Sequence, residues 1–216
     1  MTMRVFIVHA HPEPSSFNGA MTREASLALA AAGHEVIVSD LYAMGFDPVS
    51  DRRNFVTVAD ATRLKQQNEE EYASVHNGYI PELQAEMDKL ASCDLLILQF
   101  PLWWLGMPAI LKGWVDRVFA LGRAYGGGRY FGTGVFSGKR ALCAITVGGS
   151  PAMYSGGGMY GPLESILLPI HHGILGFTGF SVLPPFIAYA PARASDEERV
   201  ACLAAYRTRL LTLAAD

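Results

Sequence analysis

The alternation of short apolar strands with helices along this chain predicts an α/β architecture: five strands in a doubly wound parallel sheet, with helices on both faces. Two observations carry that expectation. The run Leu95–Phe100 is apolar except for Gln99 and shows no alternation, which suits a central parallel strand covered on both sides. The first forty residues read as strand, polar loop, helix and strand, a βαβ unit with the usual right-handed crossover.

Each element has a local reason. Arg4–Ala10 is a β-branched run and the first strand. Pro12 and Pro14 keep the following loop, His11–Ser16, out of helix. An alanine-rich helix covers Phe17–Ala32, and Gly33 suits its stop. His34–Asp40 is the second strand. Leu41–Pro81 is irregular, with turn signals at Gly45, Pro48 and Gly78, and a short helix inside it. Leu83–Ala91 is the helix before the third strand. Pro101 ends that strand, Leu102–Leu105 form a loop, and Pro108 suits the start of a helix over Ala109–Phe119. A glycine-rich loop with aromatic tips, Arg123–Gly138, leads to the fourth strand, Lys139–Thr146. A second glycine-rich loop spans Ser150–Gly161, and a helix covers Leu163–Leu175. The fifth strand lies within Phe180–Ala190 and is interrupted by Pro184 and Pro185. Ser195–Glu198 is a capping box, and Val200, Leu203, Tyr206, Leu210 and Leu213 make one apolar face of the last helix.

With 216 residues and no repeat, linker or low-complexity tract, one domain over residues 1–216 is expected. Apolar residues make up 50% and charged residues 17%, so the chain is of the globular class. A net charge of −3 gives no reason to expect a nucleic-acid partner. Leu95–Leu111 carries only Gln99 as a polar side chain, yet Pro101, Gly106 and Pro108 break it, so no integral membrane segment is expected. Three widely spaced cysteines without a C-x-x-C, and no secretory leader, suit a cytoplasmic protein.

Ligands of open α/β sheets bind at the carboxyl ends of the strands. Three such loops carry unusual residues: His11–Asn18, Pro101–Leu105 and Thr146–Tyr154. The first offers hydroxyls and a helix amino terminus, which suit a phosphate, although Ser15 or Ser16 could equally be a helix cap. The second offers a flat apolar wall. In the third, Gly148 and Gly149 let a ligand approach the backbone closely. Together they describe a flavin site. Neither G-x-G-x-x-G nor the P-loop motif is present. Gly148–Ala152 nearly matches a hydrolase nucleophile elbow, with Glu164 and His171 following in order, but lacks its last glycine and its immediate helix. No histidine set has metal-ligand spacing, so no metal is expected.

The segments H-P-E-P-S-S-F-N, S-D-L-Y-A-M-G-F-D-P, Q-F-P-L-W-W-L-G-M-P-A-I-L-K-G-W-V-D-R-V-F, T-V-G-G-S-P-A-M-Y-S and L-P-I-H-H-G-I-L-G-F-T-G-F span almost the whole chain in order. In them the chain resembles the NAD(P)H:quinone oxidoreductases of the DT-diaphorase type. That resemblance implies a flavodoxin-like fold, a homodimer, bound FAD (with FMN as the alternative), NAD(P)H as co-substrate and a quinone or similarly flat acceptor. It also implies roles by position. His11, Ser16, Phe17 and Asn18 would contact pyrophosphate and ribose, while Pro101, Leu102, Trp104 and Leu105 would form the wall against the isoalloxazine ring. Thr146, Val147, Gly148, Gly149 and Tyr154 would meet the ring edge, with Gly148, Gly149, Tyr154 and Tyr160 taking part in catalysis. Gln66 and Arg199 would hold the adenine half. Trp104, Tyr125, Tyr160 and Phe177 would line the substrate pocket, Tyr125 and Phe177 from the partner subunit.

The sequence also departs from the mammalian members. Leu105 stands for a phenylalanine, Gly127 for a pocket tyrosine, and Tyr160 for the histidine beside the catalytic tyrosine. The chain ends at Asp216 without their carboxyl-terminal extension, which leaves the choice of NADH or NADPH open. The resemblance admits a second reading, a flavodoxin-like ancillary or regulatory subunit of a potassium efflux system.

Overall fold

The structure is a computed structural model that describes residues 2–215. Five parallel positions form one sheet in the order β2 (Glu35–Asp40), β1 (Arg4–His9), β3 (Leu95–Pro101), β4 (Arg140–Val147) and β5 (Ser181–Val182). A further short strand, β6 (Phe186–Tyr189), also pairs with β4 in parallel. β5 and β6 are thus one strand position broken by Pro184 and Pro185, whose missing N–H groups cannot join the ladder. Every residue of β3 is buried, as its uninterrupted apolar run requires. Pro101 ends the strand as expected, as its last paired residue, opposite Thr146. The ladder continues one step further, where the Leu102 amide donates to the Thr146 carbonyl (2.9 Å).

Side-chain alternation divides the core into two layers. Phe6, Val8, Leu96, Leu98 and Phe100 face one side, packed under α3 (Pro81–Ser92), α4 (Ala109–Val118) and α5 (Leu163–Ile170). Val5, Ile7, Leu95, Ile97 and Leu142 face the other, under α1 (Phe17–Ala31) and α6 (Asp196–Ala215). The excursion between β2 and α3 holds one helix, α2 (Gln66–His76), and buried polar groups tie it down. Glu69 accepts the Ala59 and Asp60 amides (2.7 and 3.0 Å), Glu70 accepts the Leu121 amide (2.7 Å), and Arg117 donates to Asn54 (2.8 Å).

The helix expected over Leu163–Leu175 changes character midway. Past α5 the chain makes a π-helical turn over His171–Gly176, with the Phe177 amide donating to the His172 carbonyl (2.9 Å), five residues back. Pro169 lies inside α5, where its missing donor and its ring disturb the regular ladder. Among the described residues no helix is long and apolar enough to cross a membrane.

Candidate functional site

A cleft of about 950 Å³ opens at the carboxyl ends of β1, β3, β4 and β6. That is near the upper end of the range for small-molecule sites and has room for a dinucleotide-sized ligand. His11, Ser16, Phe17, Asn18, Pro101, Leu102, Thr146, Val147, Gly148 and Arg199 of the expected residues line it.

The loop after β1 is stiffened by its own polar groups. The His11 ring is held through Nδ1, which lies 3.0 Å from the Glu13 amide and 3.2 Å from the Glu13 carbonyl. Glu13 in turn accepts the Ser15 amide (2.8 Å) and hydroxyl (2.6 Å). Those two bonds, the hydroxyl's first, hold its carboxyl below the usual range. Arg23 donates to the Pro14 carbonyl (2.8 Å). Ser16 is the cap of α1: its Oγ accepts the Gly19 amide (3.0 Å). The first amides of the helix, those of Phe17 and Asn18, have no acceptor one turn back and are free to meet an anion.

The loop after β3 is a tight turn. Trp103 and Gly106 pair across it, their amides and carbonyls exchanging bonds of 3.1 and 2.9 Å. Trp104 and Leu105 between them have φ of +51° and +57°, the left-handed region, which asparagine and glycine usually fill in such a turn. This geometry decides which tryptophan faces the cleft. Trp103 lines it, whereas Trp104, the next residue, is fully exposed (103%). Leu105 is partly exposed and also lies outside the lining.

The two glycines after β4 do different things. Nothing stands within 4 Å of where a Cβ of Gly148 would be, so its backbone is open to a ligand. A Cβ on Gly149 would meet Met153 Sδ and Tyr154 Cε2 at 3.0 Å, so Gly149 is small to let Tyr154 pack over it. Tyr154 is buried and lies against Tyr160 (ring centroids 5.1 Å apart) and Tyr189 (6.2 Å). Burial pushes its hydroxyl up from the ordinary value, Tyr160 adds to the rise, and the Gly149 amide works against it. Neither Tyr154 nor Tyr160 lines the cleft. Ser150 is exposed and leads into a 3-10 turn, not a helix, so it has no elbow geometry.

Three further expected residues, Gln66, Tyr125 and Phe177, lie away from the cleft and its loops. Gln66, on α2, donates to Glu70 (2.9 Å) and to Ser50 (3.2 Å), outside the cleft. Tyr125 and Phe177 come together (5.9 Å), Tyr130 and Phe131 joining around Phe177 at 5.0 and 5.6 Å in an aromatic cluster. The Tyr125 hydroxyl takes a bond from Gln67 (3.2 Å).

The structure adds residues that the sequence did not single out for the site. Ala190–Arg193 follow β6 and close one side of the cleft, the Ala190 amide donating to the Val147 carbonyl (2.7 Å). This is the fourth strand-end loop, and the rule that found the other three covers it. Arg199 orders it by donating to the carbonyls of Pro191 (3.2 Å) and Ala194 (2.6 Å) and pairing with Asp196. Val200, expected on the packing face of the last helix, runs out over the cleft instead, whereas Leu203 packs against the core beside the buried Tyr206, Leu210 and Leu213 and also borders the cleft. A side chamber of about 290 Å³ continues between Arg193, Glu198, Arg199 and Cys202.

A family model described as a flavodoxin-like fold matches residues 3–210. NAD(P)H dehydrogenase [quinone] 1 of Rattus norvegicus is 42% identical over 211 residues, 97% of this chain and 77% of the relative. The ribosyldihydronicotinamide dehydrogenase [quinone] of Homo sapiens is 40% identical over 211 residues, 97% of this chain and 91% of the relative. Among solved structures, a Klebsiella pneumoniae protein presented as a candidate quinone reductase superposes with a TM-score of 0.95 at 41% identity, over 98% of this chain and 85% of that one.

Proposed function

The chain belongs to the flavodoxin-like family of NAD(P)H quinone oxidoreductases, and we propose that it works with FAD in the cleft at the strand ends, as a homodimer. It is an NAD(P)H-dependent quinone reductase. The observation that carries the FAD reading is the donor set of the cleft. The amides at the start of α1, the His11 ring and the Arg199 guanidinium suit a pyrophosphate and its attached groups. Leu102, Trp103 and the open backbone at Gly148 suit a flat ring. A flavin there supplies a two-electron carrier between a nicotinamide and a quinone.

The chain's own residues do the rest. The amino terminus of helix α1 offsets phosphate charge, and the His11 ring helps to orient it. Leu102 and Trp103 exclude water from one ring face. The Gly148 backbone, open to the cleft, stands ready for negative charge that builds at a ring edge, with Tyr154 packed behind it over Gly149. A nicotinamide and a quinone that use the same open face exclude each other, so a ping-pong order follows. Quinones and similarly flat acceptors are the substrate class.

The dimer is supported by exposed apolar side chains at Leu105, Tyr130 and Phe131. Gln66, Tyr125 and Phe177 lie away from the cleft, so they reach a cofactor or substrate only from a second subunit. Cys93, Cys143 and Cys202 are free, two of them buried, which suits a cytoplasmic, reducing location. The relatives give no support to an ancillary role in potassium efflux.

The test is the purified protein's visible spectrum, chromatography of the heat-released cofactor, and turnover of NADH and NADPH with a soluble quinone. FAD release with turnover is the expected result. FMN alone would refute the FAD assignment, and a colourless protein that takes up no flavin would refute the site.

A further inference from the structure

Gln99 is the one polar residue in the central strand, and it is wholly buried. Such a group costs stability unless it is bonded on both ends. Here it is the middle of a buried chain that joins four elements. The Tyr206 hydroxyl, on α6, donates to Gln99 Oε1 (3.3 Å). Gln99 Nε2 donates to Asn18 Oδ1 (2.7 Å) and reaches Met21 Sδ (3.7 Å). Asn18 Nδ2, at the start of α1, donates to Thr146 Oγ1 (2.6 Å) at the end of β4. Asn18 and Thr146 line the cleft, whereas Gln99 and Tyr206 do not.

The direction of this chain matters. An amide side chain has a donor end and an acceptor end, so each link fixes the orientation of the next. Met21 Sδ can only accept, so the end of the Gln99 amide that faces it is the nitrogen, and the oxygen on the other side accepts from the buried, neutral Tyr206 hydroxyl. The Tyr206 donation and the Met21 sulfur together hold the Gln99 oxygen toward α6 and the nitrogen toward Asn18. That turns the Asn18 oxygen inward and its nitrogen toward Thr146. Thr146 Oγ1 therefore accepts from within the protein, and its own proton is free to point into the cleft. In the reverse polarity Thr146 would donate to Asn18 and present only lone pairs to a ligand.

We propose that Tyr206 is a positioning residue: through Gln99 and Asn18 it sets the Thr146 hydroxyl as a donor toward a ligand acceptor in the cleft that gains negative charge on reduction. The proposal rests on the flavin reading above.

The experiment measures the midpoint potential of the bound flavin and its affinity in the oxidised form, for wild type, Tyr206→Phe, Thr146→Val and the double variant. Thr146→Val should weaken the hold on the reduced relative to the oxidised flavin by about tenfold, a potential about 30 mV more negative for a two-electron couple. Tyr206→Phe should move the potential the same way by no more than that. It should change nothing further when added to Thr146→Val, because the two act through one atom. A Tyr206→Phe shift that persists undiminished in the Thr146→Val background, or a lowered melting temperature with an unmoved potential, overturns the proposal. Should Tyr206→Phe fail to fold, Gln99→Met cuts the same chain at similar volume and carries the same expectations. A wild type that binds no flavin would refute the flavin reading first, and the two failures are thereby told apart.

Discussion

Trp104 is held in the left-handed region at φ +51° while its side chain is fully exposed. Strain and packing can be separated there, because replacing the side chain removes no burial within the chain. An ordinary residue in that region costs about 1–2 kcal/mol. Asparagine is tolerated there, so Trp104→Asn should stabilise the flavin-free protein by about 1 kcal/mol, or about 2–4 °C in melting temperature for a chain of this size. Trp104→Gly releases the same strain but loses about 0.5–1 kcal/mol to the freedom of the unfolded glycine, so its gain should be smaller. Trp104→Ala keeps a Cβ in the same conformation and should change stability little. The assay is thermal and denaturant unfolding of flavin-stripped protein, followed by circular dichroism at two protein concentrations. Flavin affinity tells which indole forms the wall: an indole of Trp104 that swung onto the ring would make all three variants bind about fivefold more weakly, for a stack of roughly 1 kcal/mol. Equal stability of the alanine and asparagine variants would show that the turn stores no strain. Destabilisation by asparagine that deepens on dilution would place the indole in a subunit interface. Unchanged flavin affinity would leave Trp103 as the whole aromatic wall.

Other outcomes follow from the same geometry. His171 is lowered below its ordinary value by burial, and its Nε2 is buried without a partner, so the unfolded chain holds that proton more tightly than the fold does. Its contribution is fully present above about pH 6.5 and is lost as pH falls toward the folded value, with a slope of at most about 1.4 kcal/mol per pH unit. His171→Leu should flatten the acid side of a stability-against-pH curve, and an unchanged slope would refute this. Light scattering at micromolar concentration should give twice the chain mass, and a monomer with full turnover would contradict the dimer. Tyr154 has tyrosines, not an imidazole, as ring neighbours, so stopped-flow reduction by NADH should vary little between about pH 6 and 8. Tyr160→His should introduce an ionisation there, and its absence would separate Tyr160 from the chemistry. Tyr154→Phe should slow reduction about tenfold if its hydroxyl contributes about 1.4 kcal/mol to the developing charge, and an unaltered rate would remove it from the catalytic set.

The elements that could be read from the sequence are those whose burial is symmetrical. β3 is covered on both faces, so its apolar run is unbroken enough to mark a central strand. β1 and β4 follow from the same cause, and three loops at the strand ends are legible in the sequence as a site. What escaped depends on small backbone shifts. A π turn over His171–Gly176 slips the hydrogen bonds by one residue while the apolar pattern around it barely changes. The split of the last strand at Pro184 and Pro185 hid its carboxyl end, and with it the Ala190–Arg193 side of the cleft. The choice between two adjacent tryptophans turned on two left-handed residues that are neither asparagine nor glycine.

Gln99 shows the other way a sequence can speak. Within Leu95–Phe100 it is the single break in an apolar run, and such a break is easily passed over because the strand assignment survives it. Its burial changes the question from which element it belongs to into what satisfies it. The partners that answer are Tyr206, Asn18 and Met21, and two of the three belong to α1, whose amino terminus opens on the cleft. A polar residue in the middle of a covered strand thus points, through the bonds it must make, to the end of the sheet where ligands bind. The same reasoning sets Glu86 apart: it is equally buried, but its carboxylate is met by Ser39, Lys89 and Trp114 (2.9, 2.5 and 2.8 Å), none of which lines the cleft. Of the two buried polar groups, only the one whose bonds run to the strand ends can bear on the chemistry, and the other holds α3 and α4 against the sheet.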